Sequence, residues 1–134
     1  MTDGSGHAAA WRLTDRGVAV ATPLWLAALF AGIGLTQLVL GVPLIQRRVP
    51  PNPVYGFRVP STLTNARLWY RVNRRLGWWL LSSGLADLLA APLFYLAHRE
   101  DAAHFIAWAG TFVVITVMLM VAGTVWHYLR VRGT

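Results

Sequence analysis

The chain has no cysteine, no lysine and only five acidic residues in 134. Without cysteine there is no disulfide framework, no thiolate metal site and no cysteine nucleophile. Without lysine, the net charge of +7 is carried by twelve arginines. This bias reflects base composition first, although guanidinium also grips phosphate and carboxylate through a planar fork. Charge of either sign is scarce, at 13% of residues, where a soluble domain carries about 25%. Hydrophobic residues make up 56%. That balance predicts one integral membrane domain. It also argues against direct nucleic-acid binding, because no soluble scaffold remains to carry a basic face.

What is present divides cleanly along the chain. Residues 1–22 mix Gly, Ser and Ala with balanced charges and read as an N-terminal tail with a short interfacial turn at Trp11. The apolar run that follows is too long for a signal peptide and ends in Gln46-Arg47-Arg48 rather than a small-residue cleavage site. Residues 23–134 form the membrane domain, with spans predicted at 24–45, 76–97 and 105–128. Each is long enough for the roughly 20 residues that cross the hydrocarbon. The expected fold is an all-α membrane protein of three transmembrane helices, with an amphipathic helix between spans 1 and 2.

Between the first two spans lies the one long polar segment, residues 46–75. Pro50, Pro51, Pro53 and Pro60 break helical geometry there, since each lacks an amide donor and forces its predecessor towards extended backbone. A helix is predicted to start near Thr62 or Thr64, either of which can cap it. Leu68, Trp69, Val72 and Leu76 then fall on one side and Arg67, Arg71, Arg74 and Arg75 on the other, the pattern of a helix lying along a membrane surface. This loop and the C-terminal tail hold nine arginines against three on the opposite side. The positive-inside bias therefore predicts a cytoplasmic loop and C-terminus, with the N-terminus outside.

Gly56-Phe-Arg58-Val-Pro60-Ser-Thr62-Leu63, then Trp69, then Asn73-Arg74-Arg-Leu-Gly77 resembles the G-x-R-x-P-x-T-L, W, N/H-R-x-x-G signature of the SdpI family of bacterial membrane proteins. The likeness covers the loop and its flanking spans, about two thirds of the chain, as a single three-span module. It implies a multi-pass protein of the bacterial cell membrane. It further implies immunity to a secreted toxic peptide and signalling through a cytoplasmic regulator, without enzymatic activity or a cofactor.

The residues also have a reading of their own. Gly56 suits a positive φ or a close backbone approach, and Pro60 stiffens the helix entry. Arg58 can reach a lipid phosphate, a carbonyl or an acidic partner, or Gly56, Arg58, Pro60 and Thr62 can simply fold the loop onto the spans. The arginines at 67, 71, 74 and 75 chiefly set topology and bind anionic lipid headgroups, at roughly 1 kcal/mol each. Asn73, beside the aromatic face of Trp69, is placed to bond a loop carbonyl.

Asp87 is the one charge within a span, and a carboxylate there costs about 2.5–3.5 kcal/mol on insertion scales, so it should face other helices. Gln37 and Thr116 lie at comparable depth, which predicts a polar cluster acting as helix-to-helix glue or as a proton or ligand site. Ser83, Asp87, Ala90 and Ala91 share one small-residue face. His98 and His104 flank Glu100 and Asp101 without making a tetrahedral ligand set, so no metal is expected. No nucleophile elbow, phosphate loop or zinc-protease helix occurs. Two classes of function remain: an immunity or signalling protein that binds a peptide or regulator, and a small transporter or accessory subunit of a membrane complex. A homo-oligomer is compatible with both.

Overall fold

The computed structural model describes residues 5–98 and 100–133, with side chains from Leu24 onwards. Four helices follow one another: α1 (Ser5–Ile45), α2 (Pro60–Thr64), α3 (Ala66–His98) and α4 (Ala102–Val131). Three of these are long and apolar enough to cross a membrane, α1 through its Leu24–Ile45 portion. The chain is an all-α, three-span membrane protein. Helical backbone in α1 begins upstream of the predicted span, through the stretch read as a tail. The alanines of that stretch are strong helix formers, and the side chain of Trp11 lies outside the described residues.

The cationic segment differs from the expected surface helix. Residues 66–76 are the first turns of α3, which continues unbroken into the second span. Leu68, Trp69, Val72 and Asn73 are buried on its inner face, while Arg67, Arg71, Arg74 and Arg75 are exposed. The predicted two-sided pattern is therefore real, but its apolar side packs on protein. The cap also differs from expectation. Asn65 caps α3, its Oδ1 accepting from the Leu68 amide at 3.1 Å, and Thr62 instead stabilises the first turn of α2.

Antiparallel packing of α1 on α3 forms the larger interface. Ala27, Gly34 and Gly41 recur every seven residues on α1, and Gly77, Gly84 and Ala91 recur every seven on α3, all six buried. The backbones nearly touch at two levels. A Cβ on Gly84 would stand 2.6 Å from the Gly34 carbonyl, and one on Gly77 would stand 2.8 Å from the Gly41 carbonyl. Close approach of this kind replaces the hydrophobic effect, which offers little between helices already in lipid.

Helix α4 packs chiefly on α3. Gly123 admits the Trp79 ring, which a Cβ at that position would meet at 2.4 Å. Towards the other end Phe30, Phe94 and Phe112, one from each helix, form a triad with ring centroids 5.7–6.3 Å apart. It closes over the buried cluster of Ala27, Ala90, Ala91, Phe105 and Ala109.

Candidate functional site

The polar loop folds back on the ends of α3 and α4, and its own sequence dictates how. Asn52 makes the first turn: its Oδ1 accepts from the Val54 and Tyr55 amides at 2.9 and 2.8 Å, the local bonding that favours Asn in turns. The Tyr55 hydroxyl donates to the Leu40 carbonyl at the end of α1, and partial burial raises its pKa. Gly56 then takes a φ of +106°, which L side chains rarely adopt. A Cβ there would also lie 2.4 Å from the Asn73 Oδ1.

Asn73 holds the loop from α3. Its Oδ1 accepts from the Phe57 amide at 2.6 Å, and its Nδ2 donates to the Trp69 carbonyl at 3.1 Å and, more weakly, to the Phe57 carbonyl at 3.5 Å. The side-chain amide thus serves the Phe57 peptide as a neighbouring strand would, which requires a donor and an acceptor on one planar group. Trp69 is fully buried, and its indole N–H donates to the Val49 carbonyl at 2.8 Å.

Thr62, also fully buried, closes the turn into α2. Its hydroxyl lies 3.0 Å from both the Phe57 and Val59 carbonyls and accepts from the Val59 amide at 3.1 Å. Pro60 occupies the first position of α2, where its missing amide costs nothing. The C-terminal end of α4 completes the assembly: the Phe57 ring packs against that of Tyr128 at 5.3 Å between centroids, tilted by 46°, and the Tyr128 and Ser61 hydroxyls are 2.9 Å apart.

Of the nine signature residues, six therefore build the loop or its seat: Gly56, Pro60, Thr62, Trp69, Asn73 and, against Gly41, Gly77. The other three, Arg58, Leu63 and Arg74, are exposed. Arg58 donates from a guanidinium nitrogen to the Pro53 carbonyl, which fixes the side chain across the loop and leaves its remaining donors at the surface.

Deeper in the bundle, Asp87 is fully buried. Its Oδ2 accepts from the Gln37 Nε2 at 2.7 Å, and the Ser83 hydroxyl bonds to the Gln37 Oε1. The predicted pair of Gln37 and Asp87 is thus brought together across the α1–α3 seam. Thr116 is not part of it, since its hydroxyl donates to the Val113 carbonyl of its own helix at 2.9 Å. Ser83, one turn before Asp87, takes that place. The other carboxylate oxygen, Oδ1, is buried with no hydrogen-bond partner among the described residues.

At the opposite end, Asp101 caps α4. It accepts from the His104 amide at 3.0 Å and pairs with the His104 ring at 2.6 Å. These contacts, the backbone one first, lower its pKa. His98 and His104 stack at 6.2 Å, and no group of three or more metal-ligating side chains occurs among the described residues.

The fold and the docked polar loop define a small multi-pass membrane protein whose distinctive residues gather at one end of a three-helix bundle. Residues 48–127 match the model of the SdpI/YfhL protein family, a stretch that runs from the loop through most of α4. The chain belongs to that family. No curated protein and no solved structure matches it.

Proposed function

We propose that the protein is a non-enzymatic membrane receptor or immunity protein that recognises a toxic peptide or a cytoplasmic regulator through the docked loop of residues 46–75. One observation carries this reading. The loop is held on three helices, through Tyr55 on α1, through Trp69 and Asn73 on α3, and through Phe57 and Ser61 on α4, while Arg58, Arg74, Val54 and Leu63 are left exposed on it. A rigid surface that combines guanidinium forks with apolar side chains suits an acidic or amphipathic partner, since preorganisation removes most of the ordering cost of binding. In this reading the surface faces the cytoplasm of a bacterial cell, with the C-terminus on the same side and the N-terminus outside, an orientation that the excess of arginine in the loop and C-terminal tail supports.

A second reading, a small transporter or accessory subunit of a membrane complex, draws on the Asp87–Gln37–Ser83 cluster and its unpaired carboxylate oxygen. Affinity purification of the intact protein from native membranes separates the two. A soluble regulator or a small peptide, recovered with the parent but lost with Arg58→Ala, supports the receptor reading. A stoichiometric membrane complex whose recovery is indifferent to Arg58 but depends on Asp87 supports the second.

A further inference from the structure

The loop is tied to α4 through Tyr128, by the Phe57 ring and the Ser61 hydroxyl. The residue before it, His127, is turned towards α3: its ring is hydrogen-bonded to the backbone of Arg71 and lies within electrostatic reach of the Arg71 and Arg75 guanidinium groups. We propose that His127 is a proton-operated latch. Neutral, it seats the end of α4 on α3 and so keeps the loop docked; protonated, it drives the two helices apart and frees the loop from α4. The inference adds regulation to the surface described above and goes beyond it, since it holds whatever that surface binds.

Charge supplies the force. Arg71 and Arg75 face the ring from α3. The guanidinium carbon of Arg75 is 5.8 Å from the centre of the Trp79 ring, which packs on Gly123, one turn before His127. On α4 itself Arg130 and Arg132 follow, over the Trp126 and Tyr128 rings. No Asp or Glu occurs between Gln46 and Leu76, and none occurs in α4. Helix α1 meets α4 through Phe30 and Phe112, in the other half of the bundle, and carries no charge from Leu24 to Ile45. Arginine keeps its charge at any pH, whatever it bonds to, so the imidazole is the one group here that changes. A further positive charge set among fixed ones is repelled, and more strongly at a partly dry interface than in water.

The interface that the latch holds is suited to part. At the α1–α3 seam backbone nearly touches backbone, whereas at Gly123 a side chain, the Trp79 ring, makes the contact. The indole N–H of Trp79 is buried with no hydrogen-bond partner among the described residues, a cost that separation of the helices would relieve. Thr124, buried in the same region, spends its hydroxyl on the Met120 carbonyl of its own helix at 2.8 Å. The other half of α4 is fixed separately by the Phe30–Phe94–Phe112 triad, which gives the movement a pivot. Of the four histidines in the sequence, His7, His98 and His104 belong to the opposite ends of their helices. Only His127 lies where the loop docks. Proton binding shifts such an equilibrium only if the two states hold the proton differently, and the arginines of α3 supply that difference.

The test uses the purified full chain in detergent, with hydrogen exchange read by mass spectrometry at about pH 7.5 and about pH 5.5, on either side of an ordinary imidazole titration. The intrinsic effect of pH is divided out with the unfolded chain. Exchange of the loop segment 56–62 and of the last turns of α4 should rise severalfold at the lower pH, while the α1–α3 seam around Gly34 and Gly84 stays protected. His127→Gln, neutral at both values, should abolish the rise, and His98→Gln/His104→Gln should retain it. No rise in the parent, a rise that persists in His127→Gln, or one lost in the His98/His104 pair would overturn the latch. A rise shared equally by the seam would overturn it too, as general acid unfolding. If His127→Gln melts early by circular dichroism, Arg75→Gln is read instead: with one facing cation removed, a smaller rise than the parent's supports the latch, and an undiminished one overturns it.

Discussion

Single residues in the loop act through the backbone that they permit or the peptide that they hold. Gly56→Ala meets two penalties together, a left-handed φ worth about 1–2 kcal/mol and a Cβ that must displace the Asn73 amide. We expect a loss of about 2–3 kcal/mol, read as an earlier unfolding midpoint in detergent. Asn73→Leu keeps the branching at Cγ but strands the Phe57 amide, so it should cost about 1–3 kcal/mol. Asn73→Asp, which retains the acceptor, should cost less.

Asp87 responds differently, because its surroundings offer one donor and leave the second oxygen unpaired. Asp87→Asn keeps an acceptor for the Gln37 Nε2 and removes a group that is costly in the bilayer. It should unfold no earlier than the parent. Asp87→Leu leaves the Gln37 amide without its partner and should lower stability by about 1–3 kcal/mol. If the asparagine variant is folded yet inactive, the carboxyl exchanges a proton or holds a cation. A folded and active variant makes it glue between helices.

At the far loop, the depressed pKa of Asp101 gives a signed pH dependence. Its bonds to His104 stabilise the fold above the ordinary carboxylate pKa, and that contribution disappears as pH falls through the lower, folded value. Acid unfolding of Asp101→Asn should lack this component, and titration with circular dichroism detection measures the difference.

Among elements, the α1–α3 seam decides which glycines matter. Gly32 has open space where a Cβ would go, whereas on Gly84 the same atom would stand 2.6 Å from a backbone carbonyl. Gly32→Ala should be neutral or stabilise by up to about 1 kcal/mol. Gly84→Ala should cost about 1–3 kcal/mol, because backbone cannot step aside as a side chain can. Equal melting of the two variants would show that the helices cross elsewhere.

The three spans were legible in the sequence because length and hydropathy are properties of one segment alone. So was the small-residue face of α3: Ser83, Asp87, Ala90 and Ala91 are buried, while Leu85 is exposed. The third member of the polar cluster was not. Thr116 matches Asp87 in depth along the bundle, but depth says nothing about rotation about the helix axis, and its hydroxyl is used by its own backbone. Ser83 carried the better signal, being four residues from Asp87 on the same face.

The seat of the cationic helix was misread for a related reason. A stripe of Leu, Trp and Val fits lipid and protein equally well, and only Asn73 beside it indicated a polar peptide to be held there. The capping role of Asn65 was also masked, by two threonines in favourable positions just before it.

For the molecule as a whole, polar chemistry is concentrated at one end and most of the apolar surface remains exposed. In α4 only 11% of the most apolar window is buried within the protein, and Met118, Trp126 and Ile106 are more than half exposed. Such a surface requires lipid or another membrane helix around it. The orientation proposed above rests on the arginines, nine on the side of the loop and C-terminal tail and three on the other.

The absence of native cysteine makes that orientation measurable with single substitutions at structurally neutral positions. Val54→Cys lies on the signature loop at 80% exposure. Ala103→Cys lies in the exposed first turn of α4, beside the cap rather than in it. With an impermeant thiol reagent on intact cells, Ala103→Cys should be labelled and Val54→Cys should react only after the membrane is opened. The reverse pattern would place the arginine-rich end outside. A regulator in the cytoplasm could not then reach the docked loop, and a peptide arriving from outside would meet it directly.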